Sequence, residues 1–141
     1  MIVHFLEDMS TSVENPPRQN NDISLFHVGE VWEAWFPYED VNRYDKHPCV
    51  ILGIKDDLIN IVASRTTSHL SRTVDFTEEI PLMDWAEAGL DRASILIARF
   101  HPVLHKDLFI RKFGMVTDSD WGNIKRKIQD ISLPKKIFRA E

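Results

Sequence analysis

The sequence contains only one cysteine and no long apolar run, and each of these features excludes a class of protein. One cysteine cannot form an intramolecular disulfide framework or a zinc site built on several thiolates. This residue, Cys49, lies among apolar neighbours, so we expect its thiol to be buried. No apolar segment approaches the roughly 20 residues that span a bilayer, and the first residues lack the basic start and long apolar stretch of a signal peptide. We therefore expect a cytoplasmic protein that does not contact membranes.

The sequence also lacks an excess of positive charge. The net charge is -5 and the isoelectric point is near 5.7, which argues against binding nucleic acid by bulk charge alone. The charge is uneven, however, because residues 105–141 carry nine bases against five acids. Any contact with a polyanion is therefore expected to be local.

What is present is the composition of one globular domain: 141 residues, of which 43% are hydrophobic. Residues 1–28 are predicted to be an N-terminal extension, poorly ordered or docked, because the polar stretch 7–24 shows no periodicity. We expect that stretch to be dispensable for folding. The domain itself is assigned to residues 29–133, and residues 134–141 form a C-terminal tail.

Several short segments have the aromatic and β-branched composition of strands. The clearest are 30–36, 49–54 and 58–64, with a polar loop expected at 37–47. Weaker strands are predicted at 74–76 and 93–100, followed by an irregular stretch after Pro102.

Two helices are predicted. Pro81 and Gly89 bracket a short one. Residues 117–131 form the other, because Thr117 is a good N-cap and apolar residues follow at spacings of three and four. The expected fold class is mainly β (α+β), a small antiparallel barrel with a short inserted helix and a C-terminal amphipathic helix. Apolar residues of the first strand and of this last helix exceed what so small a barrel hides, which favours a homodimer.

The order of these segments resembles the MazF/PemK family of toxin endoribonucleases. The matching segments are GEVW at 29–32, HPCVIL at 47–52, VASRTT at 62–67, ASIL at 93–96 and FGMVTD at 113–118. The resemblance implies an SH3-like barrel, a homodimer and an antitoxin protein partner. It also implies cleavage of single-stranded RNA to a cyclic phosphate and a 5′-hydroxyl, with no metal or other cofactor.

The same resemblance implies the site. The family carries an arginine before the proline of the second strand and a threonine after the third, and these positions are His47 and Thr66 here. Both are implied to be catalytic. Nearby basic and polar residues are candidates to bind the substrate: Arg43, Lys46, Arg65 and Thr67.

Histidine in place of arginine has two consequences. It is a capable acid or base with a reference pKa near 6.5, yet it offers no permanent bidentate fork to phosphate. As a proton donor, His47 would lose activity as the pH rises through its pKa, and as a base it would lose activity on the acidic side. The alternative function is a catalytically degenerate barrel that serves as an RNA-binding or protein-binding module.

Purely structural roles for these residues are also consistent with the sequence. His47 is also consistent with a loop residue bonded to the backbone, and Thr66 and Thr67 with residues that close a hairpin. The pair His101 and His105 does not predict a metal site, because Pro102 breaks the helix that would bring the two rings together.

Overall fold

The described part of the computed structural model comprises residues 12–37, 43–66, 78–99 and 101–131. It contains a seven-stranded antiparallel sheet and one α-helix at its C-terminal end, which confirms the predicted mainly β class. The elements are β1 Glu30–Pro37, β2 Tyr44–Lys55, β3 Leu58–Thr66, β4 Glu79–Pro81, β5 Ser94–Ile97, β6 Val103–His105, β7 Phe109–Met115 and α1 Asp118–Ile131, with 3-10 helices at Ile23–Leu25 and Lys106–Leu108.

The strands form a continuous path in the order β4-β5-β3-β2-β1-β7. Outside this path, β6 pairs with the first three residues of β3. Among the described residues this path is open, with β4 and β7 at its two ends. β2 and β3 form a hairpin through the turn at Asp56 and Asp57, where Asp56 has a φ of 58°. The tight turn places the ends of β2 and β3 that carry the candidate site residues side by side.

Apolar side chains cover both faces of the central strands, which explains their nearly continuous hydrophobic sequences. One layer includes Trp32, Cys49, Ile61 and Phe109, and Cys49 is fully buried as predicted. The second layer lies beneath α1. It consists of Val31, Val50, Val62, Ile80, Leu82, Ala88, Leu96, Ala98, Val116, Ile124 and Ile128.

The C-terminal helix forms as its periodicity predicts. Trp121 N donates to Thr117 O at 2.8 Å, and Thr117 Oγ1 accepts from Asp120 N at 3.2 Å. Ile124 and Ile128 lie in the buried layer between α1 and the sheet. The predicted helix and its N-cap are therefore confirmed. Among the described residues, no helix combines the length and apolarity needed to cross a membrane.

The short inserted helix predicted between Pro81 and Gly89 is wrong. Pro81 belongs to β4, and residues 83–89 form consecutive turns. Two backbone N–H groups at the start of these turns are held by the buried Asp120 carboxylate of α1. Gly89 has a φ of 96°, and a Cβ there would lie 2.2 Å from Phe113 O. Contacts with α1 and β7 thus override the local helical signal.

Two further predictions of irregular structure are wrong. The expected loop at 37–47 ends early, because Tyr44–His47 extends β2 and pairs with β1 from Pro37 back to Ala34. The stretch after Pro102 contains β6, a 3-10 helix and β7. The predicted strand at 74–76 lies outside the described residues.

Residues 12–28 contact the sheet along much of their length. Val13 forms a bridge with Tyr44, with backbone hydrogen bonds of 2.8 and 2.7 Å. Asn21 Nδ2 donates to Lys106 O and to Phe109 O at 2.8 and 2.9 Å. Phe26 is buried against Trp32.

We expected a homodimer from the large apolar side chains of β1 and α1, and among the described residues most of these are buried within one chain, while Trp121 is partly buried. Trp32, Trp35 and Phe36 are 9%, 8% and 2% exposed. Large apolar side chains that are exposed lie elsewhere among the described residues. They are Leu25, Val28, Ile54, Leu58, Met83, Val103 and Met115.

Candidate functional site

His47 lies on β2 opposite Ala34 of β1, in an environment that keeps its ring neutral. Nε2 is 3.2 Å from Asp45 Oδ2, and the ring meets Phe36 edge to face with centroids 6.0 Å apart. Burial lowers the pKa of His47 to about 4, although the nearby Asp45 charge raises it. The side chain is still 19% exposed. At neutral pH it is therefore an unprotonated imidazole that is partly accessible to solvent.

Asp45 is a residue of the candidate site that the sequence analysis did not single out. Its side chain is 13% exposed, and Oδ1 accepts a hydrogen bond from Lys46 N at 2.9 Å. Residues two apart on a strand project to the same face, so Asp45 and His47 face each other once β2 is known to include both. The spacing Asp-Lys-His could have indicated that the two side chains share a face. We did not use it, because we assigned this stretch to a loop.

Arg65 lies on the same face of the sheet as His47. Cys49 pairs with Ala63, so counting two residues outward along each strand gives His47 and Arg65. Ser64 Oγ donates to Pro48 O at 3.1 Å, which keeps β2 and β3 adjacent at this point. The structure therefore brings one predicted catalytic residue and one predicted binding residue to the same face.

The positive charge of Arg65 is shared with a carboxylate on β4. Its Nε and Nη2 donate to Glu79 Oε2 at 3.2 and 2.8 Å. Both side chains are largely buried, with 18% and 9% exposed. A phosphate that binds Arg65 must therefore compete with Glu79 for the guanidinium group.

Thr66 projects to the other face of the sheet. It pairs with Ser94 of β5, and the neighbouring pair on that face, Ser64 and Leu96, lies on the side covered by α1. Strand alternation therefore does not bring Thr66 together with His47. Thr67, the next predicted residue, lies outside the described residues.

The remaining predicted cations have different partners. Arg43 donates from Nε to Ser12 Oγ and from Nη2 to Ser12 O, each at 2.7 Å, and its Nη1 is 3.6 Å from Glu14. It thus holds the N-terminal segment. Lys46 is exposed, with Nζ 5.6 Å from the centroid of the Trp35 ring. Of the two, Lys46 is the cation placed to meet a ligand from solvent.

The face that carries His47 therefore combines a neutral imidazole, a neighbouring carboxylate and an arginine-glutamate ion pair, while the exposed Lys46 precedes His47 on the alternate face of β2. Such a set can remove a proton and offer positive charge to an anion. Within the described residues, no group of three or more histidine, cysteine, aspartate or glutamate side chains is arranged to hold a metal ion.

No protein-family model and no curated protein matches the chain in sequence. Solved structures do match its fold. The toxin MazF-mt6 of Mycobacterium tuberculosis superimposes with a TM-score of 0.55 at 15% identity, over 72% of this chain and 93% of the toxin. A mycobacterial endoribonuclease solved in complex with its cognate antitoxin gives 0.52 at 19%, over 72% and 87% of the two chains. Another mycobacterial endoribonuclease gives 0.53 at 18%, over 72% and 86%. The fold is that of MazF-type toxin endoribonucleases.

Proposed function

We propose that this protein is a metal-independent, toxin-type endoribonuclease that cleaves single-stranded RNA. The observation that carries the proposal is the largely buried imidazole of His47, which lies 3.2 Å from Asp45 on the face that also carries Arg65. The fold, which is similar to that of solved endoribonucleases, supports the choice of RNA as substrate.

His47 acts as the general base in this mechanism. Its pKa near 4 leaves the ring neutral at pH 7, which is the form that takes the proton of the RNA 2′-hydroxyl, and it also makes the ring a weak base that is unsuited to donate a proton. The 2′-oxygen attacks the adjacent phosphorus, the bond from phosphorus to the 5′-oxygen breaks, and the departing oxygen takes a proton from water. The products are a 2′,3′-cyclic phosphate and a 5′-hydroxyl.

Positive charge at the reacting phosphate comes from Arg65, and Lys46 on the alternate face of β2 adds positive charge nearby. Arg65 exchanges its ion pair with Glu79 for an interaction with the phosphate as charge develops there, and Lys46 attracts the RNA from solvent. Arg43 joins them only if it releases Ser12 and Glu14. Thr66 and Thr67 stay candidates through the family resemblance alone.

The protein partner in this proposal is a cognate antitoxin in the cytoplasm, and the toxin itself is a homodimer. One similar endoribonuclease was solved in complex with its cognate antitoxin, which supports the first part. Light scattering of the purified chain at micromolar concentration tests the second. A mass of about twice 16.4 kDa is expected, and a monomer contradicts the assembly.

The test of function is cleavage of a short single-stranded RNA in the presence of a chelator. We expect a cyclic phosphate product, and at least a roughly 10²-fold loss of kcat/KM in His47→Gln. His105→Gln is the matched control, because His105 pairs with Leu58 at the opposite end of β3 from the site. Thr66→Val tests the catalytic role that the family resemblance implies for Thr66, and full activity in this variant would remove Thr66 from the mechanism. Intact RNA at high protein concentration contradicts the proposal.

A second candidate function is an RNA-binding or protein-binding module without catalysis. The pairing of Arg43 with Ser12 and Glu14, and of Arg65 with Glu79, favours it, because both cations are already engaged. His47→Arg distinguishes the two functions. An inactive wild type that gains cleavage with arginine supports the module, whereas loss of activity on this replacement supports His47 as the base.

A further inference from the structure

Residues 12–14, which we call the latch, lie along one edge of β2. Val13 N donates to Tyr44 O at 2.8 Å, and Tyr44 N donates to Val13 O at 2.7 Å. β1 occupies the opposite edge of β2 at this point, because Tyr44 also pairs with Pro37. β3 lies along the same edge as the latch but ends at Thr66. The latch therefore meets β2 beside the end of β3, where the candidate site residues lie.

The polar groups of the latch contact Arg43, a cation that the sequence proposes for substrate binding. Its Nε donates to Ser12 Oγ and its Nη2 to Ser12 O, each at 2.7 Å, and its Nη1 is 3.6 Å from Glu14 Oε2. Strand alternation at the bridge turns Ser12 and Glu14 towards the face of β2 that carries His47. The closed latch therefore engages all three guanidinium nitrogens and adds a negative charge to that face.

The latch belongs to a segment that is anchored further along the chain. Gln19 N donates to Asp107 O at 3.0 Å, and Gln19 Nε2 donates to Ile110 O at 2.8 Å. Residues 15–18 connect this anchor to the latch and are largely exposed. Val13 forms an isolated bridge, so opening the latch breaks two backbone hydrogen bonds with β2 and leaves the anchor in place. A tethered segment has a high effective concentration at its site, so it competes with a free ligand although its contacts are few.

We propose that the latch is autoinhibitory, because in its closed state it competes with single-stranded RNA for Arg43. The inference rests on the proposed function, since it requires RNA to bind the face that carries His47. When the latch is closed, Ser12 and Glu14 occupy the guanidinium group and the Glu14 charge repels a phosphate. When RNA displaces the latch, the guanidinium makes a bidentate contact with phosphate instead. The latch therefore sets how much RNA is needed to occupy the site.

A reversible crosslink tests the latch. Val13→Cys combined with Tyr44→Cys places two thiols at a pair with reciprocal backbone hydrogen bonds, where Cα atoms are about 5.5 Å apart and a disulfide fits. Cys49 does not compete, because it is fully buried. We expect the oxidised form to bind a short 2′-O-methyl RNA, which the mechanism cannot cleave, at least about tenfold more weakly than the reduced form. Fluorescence anisotropy measures both affinities, and dithiothreitol should restore the higher one.

The matched control is a crosslink at the other end of β3. Leu58→Cys combined with His105→Cys joins β3 to β6, and oxidation of this variant should leave the RNA affinity unchanged. Mass spectrometry verifies the disulfide in each variant. Equal affinities of the oxidised and reduced forms of the latch variant overturn the inference.

A change of charge tests the same contact without a crosslink. Glu14→Gln removes the anion of the latch, and we expect it to bind the same RNA severalfold more tightly than wild type does. Asp22→Asn is the matched control, because it removes one negative charge from the same segment and asparagine retains the N-cap role of Asp22. Equal RNA affinities of these two variants overturn the inference.

Cleavage of unmodified RNA separates this inference from the proposed function. If wild type cleaves RNA but neither oxidation of the latch variant nor Glu14→Gln alters RNA affinity, the function stands and the latch fails. If oxidation weakens RNA binding but no form cleaves RNA, the catalytic function fails and the latch stands as the regulator of an RNA-binding module. Failure of every form to bind RNA overturns both.

Discussion

At the scale of single residues, the two arginines of the candidate site already have anionic partners within the chain. Glu79 binds Arg65, and Glu14 lies 3.6 Å from Arg43. Buried ion pairs of this kind are costly to break unless a new partner replaces the old one. The proposed binding of RNA at this site would therefore be an exchange of partners, in which a phosphate displaces a carboxylate.

Glu79→Gln tests that exchange directly. Glutamine keeps the shape and one acceptor oxygen but removes the charge that competes with phosphate, so we expect severalfold tighter binding of single-stranded RNA and a steeper dependence on salt. Fluorescence anisotropy measures the affinity, and urea denaturation reports any loss of stability. Glu78→Gln is the control, because Glu78 is 2.9 Å from Arg99 and the change in net charge is identical. Equal affinities in the two variants would mean that Arg65 does not meet the RNA.

At the scale of elements, the sequence predicts those segments whose pattern is local. The helix α1 and the apolar parts of β1, β2 and β3 follow from periodicity and composition. The first residues of β2 do not, since Tyr44–His47 is polar and becomes a strand only through pairing with β1. The sequence does not predict β7 either, and the reason is similar. Arg111 and Lys112 give it a charged sequence, and their partners Glu33 and Glu30 lie on β1, far away in the chain.

The candidate site could likewise be predicted only in part from the sequence. His47 and Arg65 could be proposed from sequence because the segments around them resemble a known family. The face to which each residue points requires the register, which places Arg65 with His47 and Thr66 on the side of α1. Glu79 could not have been predicted as the partner of Arg65, because their contact depends on β4 and β5 joining the end of β3.

The N-terminal segment is the element for which the contacts lead to a different prediction from the sequence. Asn21 Nδ2 donates to Lys106 O and Phe109 O, so Asn21→Ala leaves these carbonyls with fewer donors. We expect the free energy of unfolding to fall by about 1–3 kcal/mol. Asn20→Ala, at the exposed neighbouring residue, should change it by less than about 0.5 kcal/mol. Urea denaturation measures both, and equal stabilities would restore the view that residues 7–24 are dispensable.

At the scale of the whole molecule, the sheet has apolar layers on both faces, and its ionisable groups lie mainly around their margins. His47 is an exception, because it lies on the face that carries Cys49 and beside the buried ring of Phe36. A histidine in that position couples the protonation of the site to the stability of the fold. The proposed base is thus also a group that limits how acidic a solution the protein tolerates.

This coupling predicts how stability depends on pH. Unfolded His47 takes up a proton below about 6.5, whereas in the folded chain its pKa is lowered to about 4, chiefly by burial. Between these values the unfolded state binds more protons, so the free energy of unfolding falls as the pH falls, by up to about 3 kcal/mol in total. Burial also lowers the pKa of His101, which adds a loss of the same sign. Urea denaturation from pH 7 to pH 4.5 should therefore give a shallower decline for His47→Gln than for wild type, while parallel curves would mean that His47 titrates normally in the folded protein.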